Sequence, residues 1–423
     1  MMSLINRASQ PFKTVTKPVL GCLLVLSCLS LVQAGPAIEG LLATSNSALW
    51  LQQSASTAMV KKPHEAMVPA STMKILTALM SLERWGRGHR FSTEFWFDPQ
   101  PRVLFVRGLG DPFLTSEEIA YIARQLAQKE IHEISKIVVD GSYFSENINI
   151  NGRDRSNNPY AATNGALAAN FNSIALHVTA DGAISTEEQT PLTATGRQLA
   201  SQVVSGKHRL PLTKANQGAR YFAEILREKL SAIGVNGDMV IVSGEVSSAS
   251  QLHYRHENRH TLQQVVTAML KYSNNFIANQ LFFLLSLSDT QHVISTVAAQ
   301  NAYQQYIQKY FQWQGAVIDD GAGLSRQNRL SVSQLADILQ AFRPYRRLLP
   351  AQSEVILAKS GTLRGVMSYA GYLFRANSWQ PFAFIINTAA AGSHQQRQLI
   401  ATELAQGNFE LKQFELKAIS VKE

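Results

Sequence analysis

The stretch that decides the fold is Ser71-Thr72-Met73-Lys74-Ile75-Leu76-Thr77-Ala78-Leu79-Met80-Ser81-Leu82. Its apolar residues cover nearly the whole circumference of a helix, which predicts a helix that is buried on most sides. A strand-like run, Ser47 to Thr57, comes earlier, and Ala58 to Ala70 has the prolines of a loop. We therefore expect a strand, a loop and then a buried helix.

The first turn of this helix carries a nucleophile and a base. Ser71 follows Pro69-Ala70 directly, so its backbone N–H has no partner within the helix and the positive end of the helix dipole favours an oxyanion there. Lys74 lies one turn further on the same face, within reach of the Ser71 hydroxyl. A buried lysine near a second lysine has a lowered pKa, so Lys74 is predicted to accept the serine proton.

Two further motifs fit the same chemistry, although each is weak alone. In Ser273-Asn274-Asn275, the Ser273 hydroxyl is suited to pass a proton to a leaving amine and the Asn275 amide to hold a peptide group. Surface polar residues at a helix break are the alternative for both. Lys359-Ser360-Gly361-Thr362 starts on a predicted edge strand, Val355 to Lys359.

In that third motif each residue has a predicted task. Gly361 would let a substrate backbone approach closely. The N–H of Thr362 would complete an oxyanion hole with that of Ser71, and Lys359 with the hydroxyls of Ser360 and Thr362 would bind a terminal carboxylate.

The chain alternates between strand-like and helical stretches, which predicts an α+β fold. With 423 residues it exceeds what one core usually covers. Residues 91–250 have their own strands and helices and are predicted to be an accessory insertion, so that 35–90 and 251–423 form one interrupted domain. Thr261 and Gln264 have capping-box spacing, which places a helix start at Thr261.

Residues 1–34 are predicted to be an export signal. Three basic residues precede an apolar run from Val19 to Val32, and Val32-Gln33-Ala34 has the spacing of a cleavage site. A lipid-bearing Cys28 is the alternative. Both cysteines lie in this segment, so an exported, periplasmic chain would need no disulfide and its net charge would fall from +9 to +6. That moderate positive charge suits binding to an acidic wall polymer, and a solvated basic surface is the alternative. We expect no nucleic-acid partner and at most peripheral membrane association.

The three motifs, in this order, resemble those of the serine penicillin-recognising enzymes. Ser71 and Ser273 are 202 residues apart, a spacing that is similar to the class C low-molecular-mass penicillin-binding proteins of the penicillin-binding protein 4 type, which carry their extra domains there. Further similar stretches are Gly110-Asp111-Pro112, Val139 to Phe144, Asn170-Phe171-Asn172 and Gly321 to Arg326.

The resemblance implies a transpeptidase/β-lactamase-like domain, with an antiparallel sheet flanked by helices, and a serine D-Ala-D-Ala carboxypeptidase/endopeptidase that needs no cofactor. Its substrates would be peptidoglycan peptides with D-Ala-D-Ala ends, and β-lactam antibiotics would acylate it. It also makes Arg326 and Arg364 candidates to line the groove for the substrate's side chain; structural, salt-bridged arginines are the alternative.

Some features depart from the family's pattern. Ser360 stands where the family usually has threonine, and the serine keeps the hydroxyl group. The insertion is short for the family, so one of the two usual accessory domains is expected to be trimmed. Asn157-Asn158-Pro159-Tyr160 lacks the acidic residue expected near the groove for a side-chain amine, which leaves the preferred cross-link open.

Three other classes of protein deserve comparison. His256-Glu257-Asn258-Arg259-His260 matches the H-E-x-x-H motif of zinc peptidases, which requires a helix. Here the helix is predicted to start after the motif, and an exposed linker is the simpler interpretation, with no metal site. A β-lactamase-like hydrolase would differ in the rate at which water releases the acyl-enzyme. A catalytically silent wall-binding protein would keep the fold alone.

Overall fold

The computed structural model describes residues 35–420 apart from 146–147, 154–157, 188, 215, 289–292, 390–393 and 408–416. The predicted export signal, Asn157 and most of the C-terminal tail therefore lie outside the described residues. The strands are β1 Ser47–Gln52, β2 Thr57–Lys61, β3 Ser92–Asp98, β4 Val103–Gly108, β5 Lys136–Asp140, β6 Ser173–Val178, β7 Ile184–Thr186, β8 Gly206–Pro211, β9 Val240–Ser243, β10 Gln251–Glu257, β11 Ala351–Ser353, β12 Ile356–Leu363, β13 Val366–Arg375, β14 Ser378–Ile386 and β15 Lys417–Ser420.

The helices alternate with these strands, and the predicted α+β class is confirmed. They are α1 Pro36–Ala43, α2 Lys74–Trp85, α3 Ser116–Gln128, α4 Ala194–Ala200, α5 Gln217–Ser231, α6 Leu262–Lys271, α7 Asn275–Leu284, α8 Thr296–Tyr310, α9 Val332–Phe342 and α10 His394–Gln406. Among the described residues, no helix combines the length and the apolar character that crossing a membrane requires.

Strands from both ends of the chain form one seven-stranded sheet, in the order β11-β12-β13-β14-β1-β2-β15. The register pairs Ser47 with Ile386 and Leu51 with Phe382, so that β1 lies between β2 and β14. All six residues of β1 are buried, as expected for a strand that is covered on both faces. One face packs on α1 and α10, and the other on the helices around α2.

Helix α2 lies in the core, as its apolar pattern predicts. Its residues from Lys74 to Leu82 are all buried, and it contacts α6, α7 and α9. The predicted helix start at Ser71 is corrected in one detail: Ala70–Met73 is a 3₁₀ turn, and the α-helix begins at Lys74. The predicted loop before it also contains a strand, because β2 turns back to pair with β1.

The segment between the first two motifs builds two sheets of its own. A five-stranded sheet has the order β10-β3-β4-β5-β9, and a three-stranded sheet has the order β7-β6-β8. Both contribute to one hydrophobic cluster with α3 and α5. The insertion therefore keeps two sheets, although they share a single core.

The predicted end of the insertion at residue 250 is wrong by one strand. Strand β10 pairs with β3, from Gln251 opposite Phe97 to Glu257 opposite Ser92, so it belongs to the insertion's sheet. Four of its residues are exposed and its sequence is mixed and polar, so the sequence does not indicate which sheet it joins. The chain crosses between the two units at Phe91 and Asn258, where the Asn258 N–H donates to the Phe91 carbonyl at 2.8 Å.

Leu79 tests how much stability the buried helix provides. Its side chain is fully buried in the main cluster. We expect Leu79→Ala to lower the free energy of unfolding by about 2–5 kcal/mol, because it leaves a cavity. Val297 on α8 is 65% exposed, so Val297→Ala should change the free energy of unfolding by less than about 0.5 kcal/mol. Denaturant unfolding of both variants measures the difference, and equal losses would contradict a core at α2.

Candidate active site

A strained turn presents Ser71. Ala70 has a left-handed backbone with φ 48°, which is rare for a residue with a side chain. The Ser368 hydroxyl on β13 donates to the Pro69 carbonyl at 2.5 Å and ties this turn to the sheet. The nucleophile candidate therefore lies between the sheet and α2.

Lys74 is completely buried and has three oxygen partners. Its Nζ lies 3.0 Å from Ser71 Oγ, 2.7 Å from Asn275 Oδ1 and 2.7 Å from the Ala322 carbonyl oxygen. Two of these partners are carbonyl oxygens, which only accept. A neutral lysine has two N–H bonds and one lone pair, so with both N–H bonds donated to the carbonyls, the lone pair points at the Ser71 hydroxyl.

Charge and burial favour that neutral form. Burial lowers the pKa of Lys74 well below its usual range, and the charge of Lys359 lowers it further, against the opposing effect of Asp320. The structure thus brings Ser71, Lys74 and Asn275 together in the arrangement that a serine nucleophile and a lysine base require.

Asp320 organises the loop that supplies one of these carbonyls, and it was missed in the sequence. Its buried carboxylate accepts from the backbone N–H groups of Ala322 at 2.7 Å, Gly323 at 2.8 Å and Ser325 at 2.7 Å. These bonds fix the Ala322 carbonyl against Lys74. The signal that could have found it is an aspartate directly before a Gly-x-Gly loop, where a carboxylate commonly caps backbone N–H groups.

The second motif lies where α6 ends and α7 begins. Asn274 caps α7 by accepting from the Ile277 N–H, and Asn275 is the first helical residue. Ser273 has a left-handed backbone with φ 52° and a half-buried side chain. Its hydroxyl makes no hydrogen bond to another described residue. Such strain is found at functional sites more often than elsewhere.

The third motif lies on β12, which is not the edge strand that the sequence predicts. The short β11 is the edge strand, but it pairs only with Ile356 and Leu357. The Ala358 N–H donates to Pro350 on the side away from β13, at 3.0 Å. Because strand N–H groups alternate in direction, the N–H of Thr362, four residues on, faces the same open side.

Gly361 lies at a close contact between β12 and the Ser71 turn. A Cβ at this position would lie 2.2 Å from Ser368 Oγ, 2.8 Å from Ser71 N and 2.9 Å from the Pro69 carbonyl oxygen. The missing side chain lets β12 lie against the Ser71 turn, and the close approach of a substrate backbone stays a prediction. The Ser71 and Thr362 backbones are thereby brought to one place.

Two buried cations adjoin the same strand. Lys359 is 2% exposed and its Nζ donates to the Ser360 carbonyl at 2.6 Å. Burial, reinforced by the charge of Arg397, lowers the pKa of Lys359 to about 7. Arg397, on α10, donates from Nη2 to Thr362 Oγ1 at 2.6 Å. The sequence offered no sign of Arg397, because it lies 35 residues from its partner on another element.

The Arg326 side chain contacts the backbone of Arg364. The Arg326 guanidinium donates to the Arg364 carbonyl, and both side chains are exposed. Neither forms a salt bridge with a carboxylate of the described residues. Their contact with substrate stays a prediction.

The H-E-x-x-H segment is not the exposed linker that the sequence suggests. His256 lies on β10, is fully buried, and has Nε2 2.9 Å from Glu118 Oε1. His260 instead contacts Asn258, with Nδ1 3.1 Å from Oδ1. The helix α6 starts only after this segment, with the predicted capping box of Thr261 and Gln264. The zinc motif's helical spacing is therefore not realised.

A cleft of about 690 Å³ opens beside Asn275, between the α6–α7 wall and the insertion. Aromatic and polar side chains line it on both sides. They are Phe113, Tyr160, Phe171, Arg209, Tyr272 and Asn274, among others. The insertion thus supplies one wall of the space next to the catalytic candidates.

Comparison with known proteins gives a consistent result. The model of the D-Ala-D-Ala carboxypeptidase 3 (S13) family matches residues 33–210 and 203–348. The D-alanyl-D-alanine carboxypeptidase DacB of Haemophilus influenzae is 22% identical over 384 residues, which cover 75% of this chain and 80% of that one.

Solved structures agree on the fold. The crystal structure of penicillin-binding protein 4 from Haemophilus influenzae superposes with a TM-score of 0.70 at 19% identity, over 87% of this chain and 97% of that one. A predatory peptidoglycan endopeptidase from Bdellovibrio bacteriovorus reaches 0.50 at 17% identity, over 85% of this chain and 91% of that one. The predicted resemblance to penicillin-binding protein 4 and its fold is confirmed.

Gly361 gives a test of the geometry around Ser71. In Gly361→Ala the new methyl group would push β12 away from the Ser71 turn, so we expect acylation by a penicillin to slow by about a hundredfold or more, as when one oxyanion donor is lost. Gly88→Ala is the matched control, since a Cβ there meets nothing within 4 Å. Stopped-flow acylation rates compare the two; a wild-type rate for Gly361→Ala would contradict the close approach.

Proposed function

The chain belongs to the D-Ala-D-Ala carboxypeptidase 3 (S13) family, and we propose that it is a serine hydrolase that cleaves D-alanyl bonds of peptidoglycan peptides as a carboxypeptidase and endopeptidase. The observation that supports this most strongly is the position of Lys74 between two carbonyl oxygens and the Ser71 hydroxyl.

The proposed reaction begins with attack by Ser71 Oγ on the carbonyl carbon of the penultimate D-Ala. Lys74 takes the hydroxyl proton, and the N–H groups of Ser71 and Thr362 stabilise the oxyanion. The C–N bond then breaks as Ser273 gives its hydroxyl proton to the departing amine and takes up in its place the proton held by Lys74, so that Lys74 is neutral again. Water attacks the ester of the acyl-enzyme, which releases the shortened peptide and restores Ser71.

Other residues would hold the substrate in place. Lys74 donates to the side-chain oxygen Oδ1 of Asn275. The Asn275 Nδ2 is then left to donate to a substrate peptide carbonyl. Lys359, Ser360 and Thr362 would bind the carboxylate of the residue that leaves. Arg326 and Arg364 would line the groove on the acyl side.

A β-lactam would follow the same path as far as the acyl-enzyme. Its amide bond is attacked by Ser71, but the leaving nitrogen stays tethered in the opened ring. The matched relative of known structure carries penicillin binding in its name. The nucleophile, base and oxyanion donors proposed for the peptide reaction would serve the β-lactam as well. Penicillins would thus be acylating inhibitors.

The place of action follows from the substrate. Peptidoglycan lies outside the cytoplasmic membrane, so the enzyme must be exported, and residues 1–34 have the composition of an export signal. Cleavage after Ala34 would release a periplasmic enzyme.

Labelling with a fluorescent penicillin tests this function. We expect one stable adduct, mapped to Ser71, and release of D-Ala from a pentapeptide; Ser71→Ala should lose both. Lys74→Arg keeps a positive charge that cannot be removed, so labelling should slow by about 10²–10⁴-fold.

Lys62→Arg is the matched control for that variant, because Lys62 is exposed and paired with Glu65. Rapid turnover of the adduct would identify a β-lactamase, and no adduct together with no D-Ala release would identify a silent binder. Wild-type labelling of Lys74→Arg would refute the assignment of the base.

The pKa of Lys359 predicts a pH dependence. Its ammonium is charged below about 7 and neutral above, so binding of a substrate carboxylate should weaken as the pH rises through about 7. We expect kcat/KM for a D-Ala-D-Ala peptide to fall relative to that for its C-terminal amide between about pH 6 and about pH 8.5. Ionisation of Lys74 affects both substrates alike. In Lys359→Arg the ratio should stay constant; a ratio that also stays constant in the wild type would contradict the prediction.

A further inference from the structure

Lys359 and Arg397 form a pair of buried cations without an acidic partner among the described residues. Arg397 is 4% exposed and Lys359 2% exposed. No carboxylate of the described residues forms a salt bridge with either. Buried charges are normally paired, because an unpaired one is costly to desolvate. Among the described residues, these two cations therefore lack a carboxylate as counter-charge.

Arg397 is also incompletely bonded. Its Nη2 donates to Thr362 Oγ1, and the centre of its guanidinium lies 5.8 Å from the ring centroid of Tyr369. Its Nε is buried and has no hydrogen-bond partner among the residues that the structure describes. Arg346 and Arg375 also have one buried nitrogen without a described partner, so the feature that distinguishes Arg397 is its hydrogen bond to Thr362 on β12.

The contact with Arg397 determines what the Thr362 hydroxyl can do. A guanidinium only donates, so Thr362 Oγ1 must accept. Its own proton is then directed away from Arg397. Thr362 is exposed at the open side of β12, and its proton is available there for an acceptor. The charge on Arg397 also polarises the hydroxyl and makes it a stronger donor.

We propose that Arg397 is a positioning residue for the carboxylate of the leaving D-amino acid: it holds the Thr362 hydroxyl as a donor towards that carboxylate and supplies, with Lys359, the positive charge that the carboxylate neutralises. The inference rests on the proposed function. It makes a free carboxylate next to the scissile bond a requirement that is enforced from the C-terminal helix.

The test compares a peptide ending in D-Ala-D-Ala with the same peptide ending in D-Ala-D-Ala-amide. In Arg397→Gln we expect kcat/KM for the acid to fall about ten- to hundredfold, mainly through KM, as for a lost hydrogen bond to a charged group. The amide should change by less than about threefold, since it carries no charge. Because both substrates are measured on one preparation, the acid-to-amide ratio does not depend on the folded fraction.

Two further variants sharpen the result. Arg375→Gln is the control, because Arg375 is a half-buried arginine that donates to the Gly407 carbonyl at 2.7 Å and lies at the far end of β13; its ratio should equal that of the wild type. Thr362→Val removes the hydroxyl, so adding Arg397→Gln should then cost clearly less than in the wild type.

An unchanged acid-to-amide ratio, whether kcat/KM falls equally for both substrates or for neither, would overturn the inference and leave Arg397 a structural residue. If the wild type neither releases D-Ala nor forms a penicillin adduct, the proposed function fails and this inference with it.

Discussion

The site depends on the desolvation of one amine. Lys74 can be buried only because three oxygens surround its Nζ, and it can be a base only because burial disfavours its charged form. Much of the surrounding structure serves this balance. The α6–α7 break places Asn275, and the loop capped by Asp320 places the Ala322 carbonyl, so residues from three distant parts of the chain must meet at one atom.

The division of the chain follows from the same requirement. The seven-stranded sheet takes strands from both ends of the chain, while the insertion leaves and returns side by side at Phe91 and Asn258. An insertion with adjacent ends does not disturb the sheet that positions β12 against Ser71. It also packs on the catalytic core, as Phe144 and Ile150 belong to the main cluster. The added unit can therefore shape the cleft without moving the reacting groups.

The sequence predicted local features well, and failed where a role depends on contacts between distant elements. The buried helix and the capping box at Thr261 follow from periodicity and capping, which are properties of neighbouring residues. Strand β10 was assigned to the wrong unit, because its polar composition carries no information about which sheet it joins. The contact of Gly361 with the Ser71 turn was missed, since only the folded chain brings β12 to that turn. Arg397 was missed for the same reason, because folding brings α10 to Thr362.

Substrate binding and base strength are linked through charge. In the free enzyme burial lowers the pKa of Lys74 and the charge on Lys359 lowers it further, so that the neutral amine is favoured. A carboxylate bound between Lys359 and Thr362 would cancel part of that positive field, and so raise the proton affinity of Lys74 at the moment when it must take the proton of Ser71. An amine that was strongly basic beforehand would already be protonated. The charge on Lys359 would thus act in both steps: together with burial it would favour the unprotonated base before binding, and its partial cancellation by the bound carboxylate would strengthen that base.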